Sequence, residues 1–136
     1  MKKVLIGAVA VFVATSIMDY LIHGLMLQSA YEATKSIWRE DMNSKMWIFN
    51  LIALIGSFFF SFIFSKGYEG KGIAEGARYG LYIGIWMSVG MAYGTYGMVA
   101  IPYAMALQWF IYGVVEYVVC GVILALVFGK KETAAA

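Results

Sequence analysis

One histidine, one cysteine and one proline in 136 residues leave little of the usual equipment of catalysis or metal binding. A lone cysteine, Cys120, excludes an internal disulfide, a CxxC redox pair and a cysteine metal cluster. Set in the apolar run VVCGVIL, it reads as a buried, inert thiol. A lone histidine, His23, excludes bis-histidine haem ligation within one chain, and neither CxxCH nor HExxH occurs. With Asp19 and Glu116 as its only in-span acidic company, it is too sparse a set to specify a metal. No nucleophile elbow or serine–histidine–acid set is legible, and the sequence names no cofactor. The single proline, Pro102, gives no sign of the broken helices of many transporters. Charge is scarce as well: 13% of the residues, 10 basic and 8 acidic, with a net +2 and no basic block dense enough for nucleic acid.

Apolar surface is abundant. The chain is 62% hydrophobic and 17% aromatic, with a mean hydropathy of +0.78. Soluble domains carry roughly a quarter charged and about half apolar residues. A chain this short has too much surface to hide such an excess in one core. Four uncharged or nearly uncharged runs account for it, over residues 4–27, 46–64, 79–99 and 103–128. Each has the ~20 residues that a helix needs to cross ~30 Å of hydrocarbon, and none alternates in polarity as barrel strands do. The expected fold is an all-α integral membrane protein, an antiparallel bundle of four transmembrane helices forming a single domain over 1–136. The start, MKKVLIGAVAVFVATS, resembles a signal peptide, but the apolar stretch continues past Ser16 to Leu27 and reads as a signal anchor.

Basic residues set the orientation. An even number of spans puts Lys2, Lys3, Lys66, Lys71, Arg78, Lys130 and Lys131 on one side, against Lys35, Arg39 and Lys45 on the other. Both termini are therefore expected in the cytoplasm of a multi-pass protein, in the inner membrane if the source is bacterial. The outer loop, QSAYEATKSIWREDMNSK, spaces Tyr31, Thr34, Trp38 and Met42 as a short amphipathic helix lying at the interface. The inner loop, SKGYEGKGIAEGAR, is rich in glycine but lacks the GxxxxGK[ST] spacing of a phosphate loop and reads as a flexible turn. The closing KETAAA reads as a polar tail.

Helices in lipid pack through small residues and interhelical hydrogen bonds. Gly80 and Gly84, then Gly90 and Gly94, form two GxxxG pairs, and Ser57, Ser61 and Ser65 repeat every four residues. These are packing candidates. The ionisable residues within spans are Asp19, His23 and Glu116. A charged carboxylate there costs roughly 2.5–3.5 kcal/mol on insertion scales, so these side chains should face protein. At ~1.5 Å per residue, Asp19 lies ~7 Å below the outer surface and Glu116 ~18 Å, with Asn50 and Ser57 at matching levels. Asp19, His23, Asn50, Tyr112 and Glu116 thus sketch a polar pocket opening outward. Two functions follow from this. One is an accessory or packing subunit of a larger membrane complex or homo-oligomer, more consistent with no enzyme activity of its own. The other is a small transporter or channel, or a binder of a lipid or quinone-type ligand, using Asp19 and Glu116.

Overall fold

The computed structural model describes residues 1–129, so Lys130, Lys131 and the KETAAA tail lie outside the described residues. The described chain is helical from end to end, with no strand. Helix α1 covers Lys2–Asp19 and runs on as a π-helical segment, Tyr20–Met26. A short α2, Gln28–Ala33, is followed by 3-10 turns at Lys35–Ile37 and Met42–Lys45. Helices α3 (Met46–Gly67), α4 (Ile73–Met98) and α5 (Tyr103–Phe128) complete the chain. Three stretches are long and apolar enough to cross a membrane: Lys2–Met26, Met42–Gly67 and Tyr103–Phe128. The fourth expected span, α4, is as long as α5 but not as apolar. Glycines and tyrosines dilute it rather than charge, which stops at Arg78. The end carrying α2 and the α4–α5 turn is called outer below, and the opposite end inner.

Helices α4 and α5 form a tight hairpin. Every fourth residue of α4 on one face is small and buried: Gly76, Gly80, Gly84, Ser88 and Ala92. A Cβ at Gly76 would strike the Gly121 carbonyl oxygen, one at Gly80 the Tyr117 carbonyl oxygen, and one at Gly121 the Gly76 carbonyl oxygen. The backbones therefore touch, which brings dispersion contacts and Cα–H···O contacts along the seam. Gly113 admits the Ser88 hydroxyl by the same means. The turn between them is short. Pro102 starts α5, its carbonyl accepting the N–H groups of Met105 and Ala106 at 3.0 and 3.3 Å.

Helix α1 packs on both α3 and α5. Gly7 marks their junction, where a Cβ would meet Ser61 Oγ at 2.6 Å and Leu124 at 2.8 Å. Ser61 is fully buried and donates to the Val4 carbonyl at 2.9 Å, an interhelical bond of the kind expected for the serine repeat. At the inner end the Lys3 ammonium donates to the last carbonyl of α5, Phe128 O, at 2.6 Å, where a cation complements the helix dipole. Rings of α3 close that end against α4 and α5: Phe60 on Tyr79 and Tyr117, and Phe64 on Phe128. The Tyr79 hydroxyl donates to Phe60 O at 2.7 Å. The outer half of α3 stands apart, with Trp47, Phe49, Leu51, Leu54 and Ile55 exposed.

The inner turn is held in place. Gly70 and Gly72 take φ of 86° and 82°, values that side chains resist, and Glu75 accepts the backbone N–H groups of Glu69 and Lys71. The outer connection is not one amphipathic helix. Thr34 ends α2, its hydroxyl donating back to Ala30 O at 2.8 Å, and Trp38 is extended. The apolar side chains of that segment fold onto the ends of α1 and α5 instead.

A sharp contrast in tolerance follows from the seam. Gly80→Ala should destabilise the detergent-solubilised chain by about 1–3 kcal/mol, because the added methyl meets backbone that cannot yield. Gly94→Ala, with nothing within 4 Å, should leave stability unchanged or raise it by up to ~1 kcal/mol through helix propensity. Thermal unfolding of both variants checks this, and equal losses would contradict the packing.

Candidate functional site: a polar layer between two apolar clusters

The buried apolar residues fall into two clusters. The inner one joins Val4, Val11, Phe60, Phe64, Cys120, Leu124, Ala125 and Phe128. The outer one joins Ile22, Leu27, Ala92, Ile101, Met105, Ala106 and Trp109. Between them, on α1, lie Thr15, Ser16 and Asp19, and on α5, Tyr112 and Glu116. Polar side chains therefore lie between the two clusters, Ser16 and Asp19 exposed on α1 and Tyr112 and Glu116 partly buried on α5.

Asp19 and Glu116 come within electrostatic reach of each other, and both reach Tyr117 and Cys120. Among the described residues neither carboxylate has a lysine or arginine partner. Asp19 remains half-exposed, its side chain 51% accessible, at the surface of α1. Glu116 is partly buried on α5.

The backbone of α1 changes at this point. From Tyr20 the helix widens to the π form, closing with Leu27 N–H donating to Ile22 O, five residues back, at 2.8 Å. Such segments are rare and concentrate at functional sites. The widening places His23 Nε2 3.9 Å from Asp19 Oδ1, beyond hydrogen-bonding range. The ring's hydrogen bond goes elsewhere, from Nδ1 to the Tyr31 hydroxyl at 2.8 Å. With Nε2 carrying the proton and facing Asp19, Nδ1 accepts from Tyr31. Burial pushes the Tyr31 phenol up to about 12, which keeps it a donor.

An aromatic cluster covers this pair. Tyr31 lies 5.8 Å from Trp38 and 6.3 Å from Trp109 between ring centroids, and the two tryptophans are 6.0 Å apart. Trp38 Nε1 donates to the Thr34 hydroxyl at 2.9 Å. The Trp109 indole N–H is buried and acts on the Tyr31 hydroxyl beside it, just outside strict hydrogen-bonding geometry. Beyond the cluster the segment is exposed, and Arg39 hydrogen-bonds Asp41, holding that carboxyl below the usual carboxylate range.

The remaining predicted residues divide. Tyr112 packs against the outer cluster, while Ser57 and Ser61 are buried on α3. Gly80 and Gly84 lie in the α4–α5 seam. Asn50 is exposed on the free outer half of α3 and is not brought to Asp19, His23 or Glu116. Gly90 and Gly94 have nothing within 4 Å and take no part in packing within this chain. Sequence reasoning missed the roles of Tyr31 and Trp109. The His23–Tyr31 separation follows no helical period, and Trp109 reaches the cluster only through the path of α5.

Among the described residues no group of three or more histidine, cysteine, aspartate or glutamate side chains is placed to hold a metal ion. Comparison with protein-family models, with curated proteins and with solved structures finds no match.

The Tyr31–His23 bond has a measurable weight. Tyr31→Phe should cost about 1 kcal/mol of stability and hasten proteolysis at Arg39, since the outer connection loses its anchor. Tyr82→Phe, at an exposed position, should change stability by less than about 0.5 kcal/mol. Indistinguishable melting curves for the two variants would remove the anchoring role.

Proposed function

We propose that this chain is a four-span membrane subunit that assembles with further membrane helices, either copies of itself or members of a larger complex. The fourth span rests on the hairpin. Helices α4 and α5 are each 26 residues long and touch from Gly76–Gly121 at one end to the region of Ala92 at the other. If α5 crosses the bilayer, its backbone partner crosses beside it, with α5 supplying what α4 lacks in apolar surface. This arrangement fits a multi-pass protein with both termini inside, in the cytoplasmic membrane if the source is bacterial.

The observation that carries the assembly reading is the half-exposed Asp19 carboxylate on a helix apolar enough to span. A carboxylate turned to acyl chains costs several kcal/mol, and the neighbouring outer half of α3, with exposed Asn50, offers no cover. A second protein surface removes that cost. The free Gly90–Gly94 stripe on α4 offers further room for close helix approach.

A second reading has its own support. Two carboxylates without a cationic partner, in a layer bounded by apolar clusters and beside a π-helical segment, suit a small transporter or channel, or a binder of a lipid or quinone-type ligand.

Two measurements test this. Reporter fusions at Gly70 and Ile101 should fall on opposite sides of the membrane; the same side would remove the fourth span. In mild detergent the parent should migrate as an assembly, and Asp19→Leu should shift it at least about tenfold toward the single chain while Asp19→Asn retains it, since asparagine still hydrogen-bonds. A parent that is monomeric and free of partners refutes the subunit reading. Proton- or cation-dependent flux by that monomer, lost in Glu116→Gln, would then favour the second.

A further inference from the structure

A second feature lies at the inner end, away from the polar layer. Between the end of α3 and the start of α4 is an open recess of about 450 Å³ lined by Ile63, Phe64, Lys66, Gly67, Glu75 and Tyr79. Its wall is apolar at Ile63 and Phe64, and Ile63 is 48% exposed on the side that lipid would reach. Its rim carries one charge of each sign. The Lys66 ammonium rests over the Phe62 ring, 4.7 Å from the centroid, and forms no ion pair with a carboxylate among the described residues. Glu75 accepts the N–H groups of Glu69 and Lys71, which fixes its position. A carboxylate offers about four lone-pair sites, so acceptor capacity remains. The carbonyls of the last turn of α3 lie at the same end, as at every helix C-terminus, and add partial negative charge there.

We propose that this recess binds a membrane phospholipid with a zwitterionic, hydrogen-bond-donating headgroup of the phosphoethanolamine kind. The lipid phosphate takes the Lys66 ammonium, and its primary ammonium donates to Glu75 and to the terminal carbonyls of α3. An acyl chain follows Ile63 and Phe64 along α3. Opposite charges on the rim argue against a purely anionic lipid, which would meet Glu75 and the helix end unfavourably. The need for a donor argues against a choline headgroup, whose quaternary nitrogen has no N–H. The apolar wall argues for the lipid over its soluble headgroup.

The test uses the full chain purified in mild detergent, with dioleoyl phosphatidylethanolamine, phosphatidylglycerol and phosphatidylcholine supplied separately and retained lipid counted by native mass spectrometry. The ethanolamine lipid should be retained about tenfold more strongly than the choline lipid, and more strongly than the glycerol lipid. Lys66→Gln should lower retention of all three lipids, since each carries the phosphate, and Glu75→Gln should abolish the advantage over choline and shrink that over glycerol, with helicity by circular dichroism confirming that both variants fold. Equal retention of the ethanolamine and choline lipids overturns the proposal, as does stronger retention of the glycerol lipid. Unchanged retention of the ethanolamine lipid in Lys66→Gln also overturns it, because that exposed side chain has no structural partner to lose beyond the Phe62 ring.

Discussion

The backbone contact between α4 and α5 is the constraint on which the rest of the bundle depends. At Gly76, Gly80 and Gly121 there is no room for a single added carbon. That closeness fixes the rotation of both helices about their axes. With α4 occupying one face of α5, Glu116 lies on a part of α5 within electrostatic reach of Asp19 on α1. The same rotation places Trp109 under Tyr31 and Trp38 at the outer end, and Phe128 against Phe64 at the inner. Helix α1 then docks through Gly7 and the Ser61–Val4 hydrogen bond, with Lys3 closing the end of α5.

Buried apolar side chains gather at the two ends of the bundle, while the α4–α5 seam runs on between them. Between the two apolar clusters the level of Asp19 and Glu116 holds polar groups, and the outer half of α3 is exposed beside it. The π-helical segment begins at that level. There His23 Nδ1 meets the Tyr31 hydroxyl while Nε2 faces the half-exposed Asp19 carboxylate at 3.9 Å, close but beyond hydrogen-bonding range.

Much of the fold was legible in the sequence because hydropathy over twenty residues is an additive signal. The helical class, three spans and the turn at Pro102 follow from it directly. The serine repeat on α3 and the Gly80–Gly84 pair were legible because small residues at spacing four form a stripe on any helix. Which stripe meets a partner was not. Gly90 and Gly94 carry the same motif as Gly80 and Gly84 but leave the face that α5 covers, since the buried series runs through Ser88 and Ala92 instead. The candidate site was half legible. Asp19 and Glu116 stand out as charges in apolar runs, and their depths could be counted at 1.5 Å per residue. Asp19 and His23 stand four apart, the spacing that brings side chains together on a regular α-helix, and nothing in YLIHGLM signals the π form. Asn50 matched Asp19 in depth, yet depth along a helix says nothing about the direction in which a side chain faces.

The modest hydropathy of α4 has the same origin as its tight packing. A residue that lets two backbones touch must be small, and glycine contributes almost nothing to transfer from water. A seam of Gly76, Gly80, Gly84, Ser88 and Ala92 therefore lowers the apolar count of the helix that carries it, while the tyrosines at 79, 82, 93 and 96 lower it further toward the ends, where amphipathic rings favour the interface. The helix least able to enter a bilayer alone is thus the one whose partner is most firmly attached. Under the four-span proposal α4 would enter as half of a preformed hairpin, its seam covered by α5 and only its outer face, where Leu81, Ile85, Trp86, Met87 and Val89 are exposed, turned to hydrocarbon. Hydropathy counted along a single helix underrates such a segment in proportion to how closely it packs.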